Sequence, residues 1–172
     1  MKEFGGPALF LDRNDINTDE IIPAKYLTEN TKMALQPYML EDLKLGGFDP
    51  QSDAAKDAAV IITRANFGCG SSREHAVWVF EVNDINVVIG ESFARIFRQN
   101  MFNCGMLAIE LSKEDLNILF GMGDDVKIAV DVENGKLVAK GNKEVSFDFT
   151  LNPFDKELVM AGGWLAYADK NY

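Results

Sequence analysis

The sequence predicts an α/β fold, on three observations. Between residues 58 and 120, short apolar runs alternate with segments of helical spacing, the pattern of buried strands alternating with helices. From Asp124 onward the apolar period changes to two, which marks antiparallel strands with one face on the core. No repeat, linker or low-complexity stretch interrupts the 172 residues, so 1–172 is expected to form one domain.

In chain order, residues 8–11 read as a short strand. The acid- and amide-rich segment 12–20 reads as a solvated loop with side-chain-to-backbone turns. It is not a calcium loop: from Asp15 the spacing supplies Asn17 and Asp19, but Glu20 replaces the required glycine and Tyr26 the closing glutamate. Residues 21–27 are apolar around Pro23 and form a connector that buries side chains. After the polar 28–31, Pro37 suits the first turn of a helix over 36–43, which Gly46 and Gly47 end. Residues 51–57 are a polar lead into a buried strand at 58–63.

The tight turn 66–70 then leads into a helix through Ala76–Phe80. Residues 85–90 and 106–111 are two further buried strands. Between them, 92–102 form a helix N-capped by Ser92, with Phe93, Ile96, Phe97, Asn100 and Met101 on one face. Ser112, Glu114 and Asp115 start a helix that ends at Phe120. Strands follow at 126–132, 136–139 and 145–149, the first two joined by a Glu133-Asn134-Gly135 hairpin. Asn152 caps a last helix that runs from Pro153 through Gly162 and Gly163 to about Ala168.

Composition narrows the function. Apolar residues are 47% and charged residues 26%, as in a soluble globular protein. The net charge is −10 with no Lys/Arg cluster, so neither nucleic acid nor an anionic membrane surface is an expected partner. A small anionic substrate would need local basic groups to hold it. No apolar run reaches the ~18 residues of a membrane span. Residues 1–7 resemble neither a signal nor a transit peptide, and a cytoplasmic location is expected. Cys69 and Cys104 are the only cysteines and His75 the only histidine. That set cannot complete a four-cysteine zinc or iron–sulfur site, so no metal is expected on this chain alone.

The chemistry concentrates in Asn66-Phe67-Gly68-Cys69-Gly70-Ser71-Ser72-Arg73-Glu74-His75. Glycines let the backbone turn and approach a neighbour, and Ser71, Ser72 and Arg73 fall at the start of a helix. Unpaired N–H groups there, two hydroxyls and a guanidinium fork suit a carboxylate or phosphate. Ser71 and Glu74 also match a capping box, which is a sufficient structural reason for one hydroxyl but not for both plus an arginine. Gly68 and Gly70 do not make a dinucleotide loop, because Arg73 stands where a third glycine belongs. Cys69 with His75 would be a nucleophile and base on one short segment; a packed thiol and a hydrogen-bonding histidine are the plainer reading.

Gly70-Ser71-Ser72-Arg73-Glu74-His75-Ala76 resembles the serine–arginine motif of the swivelling domain of the aconitase superfamily. Residues 17–27, Asn-Thr-Asp-Glu-Ile-Ile-Pro-Ala-Lys-Tyr-Leu, and 92–97, Ser-Phe-Ala-Arg-Ile-Phe, match two more of its segments in the right order. The likeness spans nearly the whole chain and is similar to the small subunits of the isopropylmalate dehydratase family. It implies a swivelling β/β/α domain, with central strand–helix units plus a C-terminal antiparallel ladder.

It further implies a hydro-lyase of leucine biosynthesis that acts on a small dicarboxylate. The partner is a large subunit that carries a [4Fe–4S] cluster, none being bound by this chain alone. Ser71 takes the place of the family's base, Ser72 and Arg73 those of substrate-binding groups, and Asp19 that of an active-site loop. Tyr26, Leu27 and Thr28 fall in the loop to which the family's specificity is attributed. Thr28 stands where homoaconitase small subunits carry an arginine, which disfavours a substrate with an extra carboxylate. Other 2-substituted malates (citramalate, dimethylmalate) and a carboxylate-binding module without turnover are the alternatives.

Overall fold

The computed structural model describes residues 2–172. Seven strands form one sheet: β1 (Gly5–Phe10), β2 (Val60–Ile62), β3 (Val87–Gly90), β4 (Leu107–Glu110), β5 (Lys127–Asp131), β6 (Lys136–Lys140) and β7 (Glu144–Asp148). Their order across the sheet is β4-β3-β2-β1-β5-β6-β7. The first four are parallel; β5, β6 and β7 run antiparallel.

β1 joins the two halves by changing partner along its length. Ala8–Phe10 register in parallel with Val60–Ile62, whereas Gly5–Pro7 pair antiparallel with Lys127–Ala129. Every residue of β2 and β3 is buried, as expected of strands covered on both faces, whereas β5 to β7 alternate between core and water.

Among the described residues seven α-helices flank the sheet: α1 (Thr18–Ile21), α2 (Asp53–Asp57), α3 (His75–Val82), α4 (Arg95–Asn103), α5 (Lys113–Phe120), α6 (Pro153–Ala161) and α7 (Trp164–Asn171). α5 starts within the expected segment 112–115, where the Ser112 Oγ caps it by accepting the Asp115 N–H at 3.1 Å. The final segment is two helices rather than one. Gly162 ends α6 at φ +96, a left-handed cap that few other residues adopt without strain, and α7 starts after Gly163. No helix among the described residues is long and apolar enough to cross a membrane.

Three other expectations need correction. Residues 12–20 are not a solvated loop throughout: Ile16 and Thr18 are buried, and α1 begins inside the segment. Its start is a capping box, with the Asn17 side chain on the Glu20 N–H and the Glu20 carboxylate on the Asn17 N–H. The helix expected over 36–43 is instead a 3-10 segment, Lys32–Tyr38, whose N-terminal cap is Thr31. A tertiary bond overrides the Pro37 signal, since the Leu40 N–H reaches the Ile21 carbonyl at 2.8 Å and Leu40 takes φ +58. The polar lead 51–57 contains α2, with Ser52 capping Ala55 at 3.2 Å.

Candidate active site

The loops that leave the C-terminal ends of β1, β2 and β3 continue side by side beyond the sheet. The Gly68 N–H donates to the Ile16 carbonyl and the Thr18 N–H to the Cys69 carbonyl, both at 2.8 Å. On the other side the Phe67 N–H reaches the Ser92 carbonyl at 3.2 Å, and the Ala94 N–H returns to the Phe67 carbonyl at 3.0 Å. Three segments that are far apart in sequence are thereby joined at the end of the sheet where α/β folds place ligands.

Beneath this ladder lies an aromatic floor. Phe67 is buried, with ring centroids 5.5 Å from Phe97 and 6.0 Å from Phe80. Gly68 sits at φ +82, and a Cβ there would lie 2.2 Å from the Phe97 Cγ. The close approach that the glycine permits is therefore to Phe97 rather than to a ligand.

Above the floor, Ser71 and Ser72 line an open cleft of about 620 Å³ together with Gly68, Gly70, Arg95, Ile96 and Gln99. Sequence reasoning missed the residue that orients Ser71, which is Thr18. The buried Thr18 Oγ1 accepts the Ser71 N–H at 3.1 Å and lies 3.4 Å from the Ser71 Oγ. The only hint was the threonine in the Asn17–Glu20 segment, and its contact spans 53 residues of sequence.

Arg73 turns toward α1, where its Nη1 pairs with the Asp19 carboxylate; the Nε and Nη2 have no partner among the described residues. Asp19 and Arg73 are thus brought together beside Ser71, as salt-bridge partners of each other. A parallel pair, Arg13 with Glu20, fixes the other edge of α1 and holds the Glu20 carboxyl below its usual range, chiefly through their hydrogen bond.

The expected helix-start geometry is not what forms. α3 starts at His75 with Glu74 as N-cap and no side-chain cap, so the Ser71–Glu74 capping box is absent and Ser71 to Arg73 belong to the loop. The chain uses the Ser71 N–H for Thr18, while the N–H groups of Ser72, Arg73 and Glu74 donate to nothing else among the described residues. Ser92 does not cap α4 either. Its hydroxyl accepts the Asn66 N–H at 2.8 Å, and α4 starts after Ala94 without a side-chain cap. Ile96, expected on one face with Phe97 and Met101, is 54% exposed at the cleft, whereas Phe97, Met101 and Phe102 are buried.

Cys69 and Cys104 lie on different elements, the turn after β2 and the end of α4. Burial, with Asp15 adding repulsion, pushes the Cys69 thiol up, and burial pushes Cys104 up to about 11. Neither is a ready thiolate, and no group of three His, Cys, Asp or Glu side chains converges among the described residues. This chain's residues do not fit an iron–sulfur cluster. His75 packs obliquely against Trp78, centroids 4.7 Å apart, and makes no side-chain hydrogen bond among the described residues. Tyr26, Leu27 and Thr28 are not among the residues that line the cleft: Tyr26 stacks on Tyr38 at 3.9 Å and Thr28 is exposed.

Residues 9–114 match the model of the aconitase C-terminal domain family. The chain is 36% identical to the 3-isopropylmalate dehydratase small subunit of Pseudoalteromonas translucida, over 92% of this chain and 84% of that one. This chain belongs to the aconitase C-terminal domain family. A second relative, the 3-isopropylmalate dehydratase small subunit 2 of Deinococcus radiodurans, is 38% identical over 90% of this chain and 71% of its own length. The crystal structure of a 3-isopropylmalate dehydratase from Methanocaldococcus jannaschii superposes with a TM-score of 0.80 at 29% identity, covering 97% of this chain and 93% of that one. Membership and superposition bear out the expected fold class, and with it the aconitase-like arrangement of strand–helix units and antiparallel ladder.

Proposed function

We propose that this chain is the small subunit of a 3-isopropylmalate dehydratase, a hydro-lyase that interconverts 2-isopropylmalate and 3-isopropylmalate in leucine biosynthesis. The observation that carries the reading is the Ser71-Ser72 corner, held by Thr18 in a cleft at the strand ends of a chain whose relatives bear that name. In this reading residues 1–172 act as one swivelling domain in the cytoplasm, closing on a large subunit. The same reading assigns the [4Fe–4S] cluster to that subunit, and the poor fit of Cys69 and Cys104 to such a group supports it.

The reaction removes a proton and a hydroxyl from adjacent carbons and adds them back in the opposite sense. Taking a proton from carbon beside a carboxylate builds a second negative charge, so the base must be strong and the site rich in donors. Ser71 is assigned as that base. Its deprotonated form is favoured by the Thr18 hydroxyl, free to donate because its oxygen already accepts the Ser71 N–H, and by the unspent N–H groups of the loop. Ser72 contributes a hydroxyl to the substrate. Arg73, oriented by Asp19 through one nitrogen, keeps its remaining N–H donors for a carboxylate. The Tyr26–Thr28 segment acts as specificity loop from outside this chain's cleft, and Thr28 offers no cation for a third carboxylate.

The test is anaerobic mixing of this chain with its large subunit, following alkene-diacid absorbance with 2-isopropylmalate, citramalate, dimethylmalate and homocitrate. A clear preference for 2-isopropylmalate is the expected result. Preference for a smaller malate would move the pathway, and no turnover with a loaded large subunit would leave a binding module.

A further inference from the structure

Five arginines occur in the chain, at positions 13, 64, 73, 95 and 98. Four of them pair with carboxylates of the chain itself: Arg13 with Glu20, Arg64 with Asp12, Arg73 with Asp19, and Arg98 with Glu110 and Asp155. Arg95 is the exception among the described residues. It is exposed, makes no ion pair or side-chain hydrogen bond there, and lines the same cleft as Ser71 and Ser72.

Nothing in the helix accounts for this placement. Arg95 is the first residue of α4, where the helix's positive end disfavours a cation and an acidic residue would stabilise. In a chain of net charge −10, an arginine left without a carboxylate at such a position is available to an external one. Arg73, meanwhile, is not among the residues that line the cleft and is already held by Asp19. A dicarboxylate lying over Ser71 has two charged ends, and Arg95 offers a guanidinium fork to one of them inside the cleft.

We propose that Arg95 binds one carboxylate of the substrate from within the cleft, opposite the carboxylate served by Arg73. The inference rests on the dicarboxylate reading of the site, and it makes Arg95 a substrate-binding residue whose loss acts on affinity. A planar fork gives two parallel N–H donors to a carboxylate, which lysine replaces only in part and glutamine not at all in charge.

The experiment uses the reconstituted two-subunit enzyme with 2-isopropylmalate, comparing wild type, Arg95→Lys and Arg95→Gln. Wild-type turnover is the control for the functional reading; its absence would sink that reading without bearing on Arg95. With an active wild type, Arg95→Gln is expected to raise KM at least about tenfold, Arg95→Lys less, with kcat changed far less than KM. Inhibition by malonate should weaken in Arg95→Gln by a similar factor, while affinity for the large subunit and the melting temperature stay at the wild-type values. An unchanged KM would overturn the proposal. So would a loss of large-subunit affinity with normal KM at saturating subunit, which would make Arg95 an interface residue.

Discussion

Thr18→Val is the perturbation that separates a placed serine from an incidental one. Valine keeps the shape of the buried side chain and removes only its hydroxyl, so the Ser71 N–H loses its partner at 3.1 Å and the Ser71 Oγ its neighbour at 3.4 Å. An orphaned donor in a part-buried site costs about 1–3 kcal/mol. At about 2–4 °C per kcal/mol for a chain of this size, a loss of about 2 kcal/mol lowers Tm by about 4–8 °C. The catalytic effect should be larger in proportion. Displacing a reacting group by an ångström costs about a hundredfold in rate, about 2.7 kcal/mol of activation free energy.

Steady-state kinetics of the reconstituted enzyme, beside thermal unfolding of the chain, check both numbers. The expected pattern is a kcat lowered about a hundredfold with KM nearly unchanged, and rescue of most of the rate in Thr18→Ser. A Thr18→Val enzyme with wild-type kcat and a lowered Tm would make Thr18 a packing residue with no part in placing Ser71.

The other expectations concern the frame of the site. Gly68→Ala should cost about 3 kcal/mol and about 6–12 °C in Tm, because its Cβ meets Phe97 at 2.2 Å and its φ is +82; thermal unfolding reads this directly. Glu20, held below the usual carboxylate range by its hydrogen bond to Arg13, contributes stability that is present above its unfolded pKa and lost as pH falls through its folded one. Glu81 does the same, since hydrogen bonds from Lys2 and Lys32 outweigh the upward push of its burial. Urea midpoints should therefore drop steeply below about pH 4.5, and less so in Glu20→Gln. Cys69→Ser should leave kcat at the wild-type level, and a thiol reagent at neutral pH should label both cysteines far more slowly in the native than in the unfolded chain.

The parts of the fold that sequence made legible are those governed by local rules. Two-residue periodicity marked β5 to β7, continuous apolar runs marked β2 to β4, and Ser112 marked the start of α5 because its cap bond closes within three residues. The failures share one cause, which is competition from distant partners. Ser71 and Ser92 both looked like caps, but their bonds go to Thr18 and Asn66, 53 and 26 residues away. Leu40 stops a helix because its N–H is taken by Ile21. At the site, the family resemblance named Ser71, Ser72, Arg73 and Asp19 together. It could not reveal that Arg73 and Asp19 would pair, that Thr18 would orient Ser71, or that Arg95 would share the cleft. Those facts depend on parallel strand order, which sets three separate loops side by side.

The most direct measurement is turnover by Ser71→Ala, assembled with the large subunit under anaerobic conditions and supplied with 2-isopropylmalate. The proposed role predicts turnover lost to the limit of detection, with folding, subunit affinity and substrate binding intact. Turnover near that of the wild type would contradict it and remove Ser71 from the chemistry.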